Sequence, residues 1–434
     1  MPASTHENGI HLVIVGAGLA GLSAALSTKL ANPSHRVTIC EAVDELKEIG
    51  AGLQVTPNGA RLLERWGILD GLTTTVPRTM SVRRYDGTKL LAHEPNLQQL
   101  MRDRCSSPIL HIHRADLQRA MIAKCTCLGV VTKLGRRVDA VDFNEALVTM
   151  NDGSTVHGDV VLLADGLWST IRDEFAGREH APLATGDMAY RLSIHADEID
   201  GPYRNELQEF ISQPALNIWL GPSSHVVGYS LRGGKILNLV FLMPDTLPEG
   251  VSQTNGSLLE ISSALSWDPL LVKLLQASKQ VTKWKLMWTE PLPQWASTSG
   301  TFFMAGDCCH PMLPYLAQGA NSSLEDGALL GHLLGNVSDG NKTSMLPKVA
   351  KVYQRLRMER GSWIQAETFK QRDVFHLSDG AEQEKRDEMM VGLLGEKIEA
   401  PFPIRFFCPV SQRKLFDYDA YEEAERAWRT ETGV

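Results

Sequence analysis

Two carboxylates at the ends of short apolar runs are the first residues whose types and spacing indicate chemistry. Asp307 ends the segment FFMAGD, and a histidine, two prolines and a Gln-Gly pair separate it from a helix pattern. Asp165 ends the run VVLLAD, and Ser169 and Arg172 follow at a predicted helix start. A carboxylate at a strand end can accept hydrogen bonds from ligand hydroxyl groups. The identity of such a ligand is indicated by the N-terminal segment.

The N-terminal segment HLVIVGAGLAGLSAAL carries a glycine fingerprint between a predicted strand and a predicted helix. Gly16, Gly18 and Gly21 have the spacing G-x-G-x-x-G, which serves a tight turn, close approach to a pyrophosphate and close helix packing. A second predicted strand, RVTIC, ends at Glu41, whose carboxylate can bind the hydroxyls of an adenosine ribose. The strand, the glycines, the helix, the second strand and the terminal carboxylate follow one another at the expected spacing, and together they predict a dinucleotide site. The same fingerprint serves both NAD and FAD.

The segment LVTMNDGSTVHGDVVLLADG predicts a hairpin followed by a buried strand that ends at Asp165. Together with the glycine fingerprint and the segment after Asp307, this D-G-x-x-S-x-x-R motif resembles the three motifs of FAD-dependent aromatic hydroxylases, the single-component flavoprotein monooxygenases. The segment HPMLPYLAQGAN and the C-terminal segment DAYEEAERAW are similar to sequences of the salicylate hydroxylase branch of that family. The resemblance implies FAD as the cofactor, with NADH or NADPH as co-substrate. Noncovalent binding of the FAD is expected, because no histidine or cysteine lies in a recognised flavin-attachment motif.

With FAD as the expected ligand, the segment after Asp307 is interpreted as a flavin cradle. Asp307 is expected to accept hydrogen bonds from the ribityl hydroxyls, and Pro311 and Pro314 are expected to stiffen the loop. A helix that begins near Gly319 would direct unsatisfied N–H groups and a positive dipole end at the negative charge of a reduced flavin. Gly319 and Ala320 are small enough for the backbone to approach the ring.

Further cofactor residues follow from the resemblance. EIGAGLQVTPNGARLL is similar to the mobile-flavin segment of the family, which implies that Gly50 and Gly52 lie near the cofactor. Arg114, just before a predicted helix, corresponds to an arginine on the flavin or its pyrophosphate, and a surface ion pair is the alternative. Asp165 is implied to serve the pyrophosphates of FAD and NAD(P)H. No second glycine fingerprint is present, which fits a family that binds the nicotinamide nucleotide only transiently.

Residues 186–242 alternate between polar and apolar positions and predict a mostly antiparallel sheet on which a substrate can lie. The predicted strands are GDMAYRLSIH, ELQEFIS, LNIWLGP, HVVGYSLRGG and KILNLVFLM. His225 and Tyr229 are an even number of residues apart and share one strand face. A hydroxy-aromatic acid needs a base for its ring hydroxyl and a countercharge for its carboxylate, and Arg191, Tyr229, His225 and His310 are the candidate residues.

The predicted fold is α/β, with a Rossmann-type FAD-binding domain interleaved with a mostly antiparallel substrate-binding sheet and followed by a helical C-terminal region. The expected bounds are 1–85, 105–180 and 290–345 for the FAD-binding domain, 86–104 and 181–289 for the sheet domain, and 346–434 for the helical region.

Composition excludes several function classes. The 434 residues carry a net charge of -8, which argues against a general nucleic-acid surface. No apolar run reaches the ~18 residues of a membrane span. Seven scattered cysteines without a C-x-x-C pair fit free thiols rather than a metal site or a disulfide reductase, and predict a cytosolic protein. A monomer or a homodimer is expected.

The resemblance implies that NAD(P)H and O2 are consumed to hydroxylate a small aromatic substrate, with loss of CO2 when the attacked carbon bears a carboxylate. Two alternatives remain at this point. One is another outcome on the same scaffold, namely hydroxylation without CO2 loss, dearomatisation, or epoxidation of a phenol- or indole-like metabolite. The other is a flavin-bearing protein that regulates a partner, although the chain shows no appended interaction domain.

Overall fold

The computed structural model describes residues 8–45 and 52–433, so Gly50 lies outside the described residues. The strands of the described part are, in chain order, β1 (His11–Val15), β2 (Arg36–Cys40), β3 (Gly52–Val55), β4 (Thr79–Arg84), β5 (Leu90–Glu94), β6 (Leu110–His113), β7 (Val131–Lys133), β8 (Val138–Asp142), β9 (Leu147–Met150), β10 (Thr155–His157), β11 (Val160–Leu163), β12 (Leu183–His195), β13 (Ala215–Gly221), β14 (Ser224–Leu231), β15 (Ile236–Pro244), β16 (Gln253–Asn255), β17 (Thr282–Trp288) and β18 (Phe302–Met304).

The helices of the described part are α1 (Leu19–Ala31), α2 (Pro57–Arg65), α3 (Leu97–Cys105), α4 (Arg114–Cys127), α5 (Ile171–Ala176), α6 (Arg204–Ser212), α7 (Leu258–Ala264), α8 (Pro269–Gln276), α9 (Gly319–Leu334), α10 (Lys342–Phe375), α11 (Ala381–Val391), α12 (Pro409–Phe416) and α13 (Ala420–Thr432). Short 3₁₀ turns cover Gly306–Cys308 and Pro314–Leu316. None of these helices is long and apolar enough to cross a bilayer.

A parallel five-stranded sheet forms the nucleotide-binding core, with the strand order β18-β11-β1-β2-β7. The apolar runs of β1 and β11 are buried on both faces, as expected for a parallel sheet covered by helices. The predicted hairpin is confirmed as the antiparallel pair of β9 and β10. Because β1, β11 and β18 are parallel neighbours, the glycine fingerprint, Asp165 and Asp307 all follow the carboxyl ends of adjacent strands.

Helices α1 and α9 pack in parallel on this sheet. A Cβ added to Gly327 would lie 2.2 Å from Ser23 Oγ, so only glycine allows this approach. Further along, Ser27 Oγ donates to the carbonyl oxygen of Ala328 at 2.7 Å. The shared direction of the two helices brings both N-termini to the same end, which is the carboxyl edge of the sheet.

The predicted substrate-binding sheet is present as eight strands in the order β16-β17-β12-β15-β14-β13-β4-β5, and all neighbouring strands are antiparallel except β13 and β4. Strand β4 was expected in the FAD-binding domain, but Thr79–Arg84 pairs along its length with β13, so the sheet domain begins before residue 86. The prediction of a strand at ELQEFIS is wrong, because α6 covers this segment and buries Leu207 and Ile211, which are four residues apart.

The C-terminal region is helical, as predicted, but it does not form a separate layer. The 34-residue helix α10 begins at Lys342, inside the segment assigned to the FAD-binding domain, and buried residues of its first half join the core around the parallel sheet. Buried residues of its second half join the core around the face of the eight-stranded sheet that lies opposite α6–α8. The helix therefore packs against the cores of both sheets.

Candidate functional site

The glycine loop after β1 has the geometry of a pyrophosphate site. Gly16 has a φ of +105°, and an added Cβ would lie 2.4 Å from the carbonyl oxygen of Ala164. An added Cβ on Gly21 would lie 2.2 Å from the carbonyl oxygen of Gly16, whereas one on Gly18 would meet nothing within 4 Å. The first turn of α1 has no side-chain cap and no acidic residue, so none of its N–H groups is bound by a capping side chain. This arrangement fits the diphosphate of FAD.

Glu41 lies beside the glycine loop, at the end of β2. Its Oε2 accepts a hydrogen bond from the N–H of Ala17 at 2.7 Å, and its Oε1 accepts one from the N–H of Val43 at 3.1 Å. Each carboxylate oxygen keeps a lone pair for another donor. The structure therefore places Glu41 where a ribose next to the diphosphate can reach it.

The loop after β18 combines an exposed carboxylate with an open helix start. Asp307 is exposed, while its neighbours Gly306 and Cys308 are buried. Helix α9 begins at Gly319, as predicted, and no side chain caps its N-terminus. A Cβ added to Gly319 would meet nothing within 4 Å, and Ala320 is partly exposed. These residues border open space at the carboxyl edge of the parallel sheet, where a flavin fits.

Five buried ionisable residues anchor this loop to the protein interior. We call them the ion cluster: His310, Glu325, Asp326, Arg357 and Arg360. Asp326 Oδ1 accepts a hydrogen bond from Arg357 Nε at 2.7 Å, and Glu325 Oε2 accepts one from Arg360 Nε at 2.7 Å. Burial alone would raise the pKa of Glu325, but the guanidinium groups of Arg360 and Arg357 lower it. The cluster joins α9 to α10.

His310 belongs to this ion cluster. Its Nε2 lies 2.5 Å from Asp326 Oδ2, and the same oxygen accepts a hydrogen bond from the N–H of Gly306 at 2.8 Å. The imidazole is 2% exposed and stacks on Trp295 with the ring centroids 4.8 Å apart. This geometry does not favour the expected role of His310 as a base for the substrate, because the ring is committed to the protein interior.

The substrate candidates Arg191, His225 and Tyr229 lie on one face of the eight-stranded sheet. The register pairs Arg191 with Val240, and Val240 with Val227, which lies between His225 and Tyr229 on β14. Directly paired residues share a sheet face, as do residues two apart, so all five side chains project to the same side. Arg191, Val227 and Val240 are partly exposed although they are central in the sheet. The described residues therefore do not fully cover this part of the sheet face.

This face of the sheet looks toward the loop after β18. Val227 and Val240 pack on the same hydrophobic cluster as Met312 and Ala317 of the loop. All four side chains are partly exposed. The loop that precedes α9 therefore lies on the same face of the sheet as the substrate candidates, where Tyr315 packs on His225 with the ring centroids 5.2 Å apart.

Tyr229 is nearly buried, and its hydroxyl lies against β3. A Cβ added to Gly52 would lie 2.7 Å from this hydroxyl, and the N–H of Gly52 donates to Asn238 Oδ1 at 3.1 Å. The Tyr229 ring packs on His111 with the centroids 4.6 Å apart. Among the described residues the hydroxyl has no hydrogen-bond partner. Burial raises the pKa of Tyr229, so the hydroxyl is neutral at physiological pH and can donate to a ligand.

Arg191 is a cation that lacks an acidic partner within the described residues. Its guanidinium lies 4.7 Å from the ring centroid of Trp284, and its Nε is buried without a hydrogen-bond partner. The side chain borders a cavity of about 390 Å³ at the end of β12, where Thr282 and the ion pair of Glu198 and Lys279 also line it. Burial lowers the pKa of Arg191, and the exposed Arg114 at the start of α4 adds to that effect. Such a desolvated cation favours an anionic ligand.

The segment after β11 presents Asp165 to solvent on a loop held by a buried arginine. The N–H of Arg172 donates to Ser169 Oγ at 3.1 Å. The guanidinium of Arg172 donates to the carbonyl oxygens of Leu167 and His180 at 2.9 Å and 2.8 Å. The serine and arginine of the motif thus shape the loop, and Asp165 remains available for a ligand.

Three site residues were not predicted from the sequence: His111, Asn238 and Trp284. A lone asparagine in the apolar strand ILNLVFLMP is a signal that could have indicated Asn238, because an amide inside a sheet needs partners. His111 and Trp284 carry no comparable signal, since both are ordinary strand residues whose role depends on contacts distant in sequence.

Comparison with known proteins identifies the proteins to which this chain is similar. The family described as FAD binding domain matches residues 10–360. The chain is 44% identical to the FAD-dependent monooxygenase OpS4 of Beauveria bassiana (strain ARSEF 2860), over 96% of this chain and 97% of that protein. It is 31% identical to 3-hydroxybenzoate 6-hydroxylase 1 of Aquipseudomonas alcaligenes, over 89% of this chain and 94% of that protein.

The fold also matches a solved salicylate hydroxylase in complex with substrate, with a TM-score of 0.76 and 22% identity over 96% of this chain and 98% of that chain. At this identity the match concerns the fold alone. The family match and the two sequence relatives, each covering most of the chain, lead to one conclusion: the chain belongs to the FAD-dependent monooxygenases, the flavoprotein hydroxylases, and its cofactor is FAD.

Proposed function

We propose that this monooxygenase hydroxylates a small hydroxy-aromatic acid, such as salicylate or a relative, with NADH or NADPH as the reductant. The observation that carries the proposal is Arg191, a desolvated guanidinium on the incompletely covered sheet face without an acidic partner among the described residues. A carboxylate on the substrate supplies that partner. The relative named as a 3-hydroxybenzoate hydroxylase acts, by its name, on an aromatic acid.

The sheet face offers complementary groups for such a substrate. Val227 and Val240 form an apolar floor for the ring, Arg191 lies beside them to bind the carboxylate, and the neutral hydroxyl of Tyr229 can hydrogen-bond a ring hydroxyl. Bound FAD, reduced by NAD(P)H, supplies the electrons with which O2 is split. The residues of the chain orient the ring, exclude water and remove the ring hydroxyl proton, which raises electron density on the ortho and para carbons.

The proposal is tested by the rate of NAD(P)H oxidation with a panel of hydroxybenzoates and the matching phenols that lack the carboxylate, with the mass of each product recorded. We expect hydroxybenzoates to stimulate oxidation and to give a hydroxylated product, with loss of CO2 where the attacked carbon carries the carboxylate. Stimulation by neutral phenols or indoles, with none by the acids, would instead favour the alternative of a monooxygenase for neutral metabolites.

The role proposed for Asp307 leads to a prediction about cofactor retention. Asp307→Ala removes a charged acceptor for ribityl hydroxyls, so FAD binding should weaken by about 1–3 kcal/mol. Titration of the apoprotein with FAD, followed by flavin fluorescence, measures this loss. Asp379→Ala is the matched control, because Asp379 is also exposed and lies after the end of α10, where it pairs with Arg84. Equal FAD affinity in Asp307→Ala and wild type would show that Asp307 is only a turn residue.

A further inference from the structure

Trp284 on β17 is the aromatic neighbour of Arg191 on one face of the eight-stranded sheet. The register pairs Arg191 with Thr282, and Ala189 with Trp284. Because directly paired residues and residues two apart share a sheet face, Trp284 projects to the same side as Arg191 and lies diagonally opposite it. Diagonal neighbours on paired strands are within reach of aromatic and long side chains. The guanidinium accordingly lies over the indole, 4.7 Å from the ring centroid.

This contact differs from the other arginine–ring contacts of the described residues. Five further arginines lie over a ring and also pair with a carboxylate, namely Arg65 with Asp419, Arg84 with Asp379, Arg357 with Asp326, Arg360 with Glu325 and Arg372 with Asp373. Arg83, which lies over Trp219, donates to Asn217. Arg191 has the ring contact without a carboxylate partner among the described residues, and its Nε is buried without an acceptor.

The cavity at the end of β12 gives a ligand access to Arg191. The side chain of Arg191 is partly exposed and lines this cavity. The lysine of the same lining, Lys279, is already paired with Glu198 at 2.9 Å. A carboxylate that enters the cavity therefore meets Arg191 as the arginine or lysine of the lining that has no carboxylate partner among the described residues.

We propose that Trp284 is a positioning residue that acts through Arg191. Its ring holds the guanidinium in place and leaves the positive charge and the N–H donors to the carboxylate of the substrate. This inference rests on the proposed function, because it requires a substrate that carries a carboxylate. It gives Trp284 a role in selecting aromatic acids over neutral phenols.

An aromatic ring suits this role better than an acidic residue. A cation–π contact uses the quadrupole of the ring, which has no net charge, so the guanidinium stays positive and keeps its N–H donors available. An acidic residue at this position would accept those hydrogen bonds itself and would repel the carboxylate of the substrate. An arginine without any neighbour would instead lose its rotamer freedom when the substrate binds, and this loss weakens binding.

The test measures the Kd of a hydroxybenzoate for FAD-loaded protein by isothermal titration calorimetry, together with KM and kcat. Trp284→Leu removes the ring and should raise both Kd and KM by about 5- to 30-fold, with kcat within about threefold of wild type. Trp284→Phe keeps an aromatic face under the guanidinium and should stay within about threefold of wild type in all three constants. The matching phenol without a carboxylate should bind equally well to wild type and to both variants.

A double-mutant cycle with Arg191→Gln separates a role through Arg191 from a general structural role. When Arg191→Gln is already present, Trp284→Leu should change the Kd of the acid by less than about twofold, because the group through which Trp284 acts is gone. A variant that merely disturbs the sheet would weaken binding by the same factor with and without Arg191→Gln.

Trp288→Leu is the matched control for Trp284→Leu. Trp288 is also a partly exposed tryptophan of β17, and it lies four residues further on the same face. It packs on Phe369 with the ring centroids 5.3 Å apart, so its loss removes an aromatic side chain without removing the ring under Arg191. The Kd of the acid should then equal that of wild type. Trp284→Met carries the test if Trp284→Leu does not fold.

The proposal is overturned if the folded non-aromatic variant binds the acid as tightly as wild type. It is also overturned if that variant loses affinity equally for the acid and the phenol, or equally with and without Arg191→Gln. Failure of the proposed function is a separate outcome, because the wild-type enzyme would then hydroxylate none of the hydroxybenzoates.

Discussion

Replacing Tyr229 by phenylalanine is expected to lower product formation by about 10²–10⁴-fold while the protein stays folded and loaded with FAD. The substitution keeps the ring and its packing on His111 but removes the hydroxyl, which lies beside Gly52 of β3 and has no hydrogen-bond partner among the described residues. Without this hydrogen bond the ring hydroxyl of the substrate is neither oriented nor easily ionised. NAD(P)H oxidation should continue and release hydrogen peroxide in place of product, so the quantity to measure is product formed per NAD(P)H consumed.

Two further variants serve as controls for this measurement. Tyr203→Phe removes a hydroxyl at a position that is 40% exposed beside Lys273 and should leave coupling unchanged. Gly52→Ala keeps the Tyr229 hydroxyl but places a methyl group 2.7 Å from it, so it should displace the hydroxyl and uncouple the reaction as well. If Tyr229→Phe forms as much product per NAD(P)H consumed as the wild type, Tyr229 has no role in the mechanism. His225 is then the residue to test.

Arg191→Gln is expected to raise the KM for a hydroxybenzoate by about 10- to 100-fold with a smaller change in kcat. The reason is that a charge-assisted hydrogen bond to a buried carboxylate contributes about 1.5–3 kcal/mol, and the same interaction is made before and during the reaction. Steady-state kinetics on FAD-loaded protein measure both constants. The matching phenol without a carboxylate should show the same KM in wild type and variant.

Arg83→Gln is a matched control for this substitution. Arg83 is also a partly exposed arginine of the eight-stranded sheet that lies over a tryptophan, with its guanidinium 5.8 Å from the ring centroid of Trp219. It projects from the opposite face and donates to Asn217 Oδ1 at 2.8 Å. Its loss should affect stability rather than KM. An equal KM for the acid in wild type and Arg191→Gln would refute the countercharge role.

The parallel sheet and its flavin-binding edge are predictable because the signals are local. The three motifs each consist of an apolar run followed directly by glycine or a carboxylate, and β1, β11 and β18 end at these positions. The spacing of Gly16, Gly18 and Gly21 imposes a turn geometry that few other folds need. The shared sheet face of His225 and Tyr229 was also predictable, since it follows from strand periodicity alone.

The predictions that failed depend on contacts between distant segments. ELQEFIS lies among strands and was read as one of them, although the spacing of Leu207 and Ile211 fits a helix. His310 follows Asp307 in a loop that is expected to contact the flavin, but its orientation is decided by Asp326 and Trp295, which the loop sequence does not reveal. Strand β4 pairs in parallel with β13, more than a hundred residues further along the chain.

The surroundings of His225 illustrate the same limit. His225 is a candidate from its strand position, but nothing near it in sequence indicates His376 or Asp187. These residues meet because α10 spans both sheets and ends against β12 and β14. The contact between His225 and His376 is therefore a property of the tertiary structure, whereas the proposed cofactor site can be read from short motifs.

The central claim, that the protein inserts one oxygen atom of O2 into an aromatic acid, is tested most directly with ¹⁸O2. Purified FAD-loaded enzyme is supplied with NAD(P)H, a hydroxybenzoate that stimulates NAD(P)H oxidation, and ¹⁸O2, and the product is analysed by mass spectrometry. The account predicts a product that carries one ¹⁸O atom, formed in a ratio close to one per NAD(P)H. Product without the label, or complete conversion of the consumed O2 to hydrogen peroxide with every hydroxybenzoate, would contradict it.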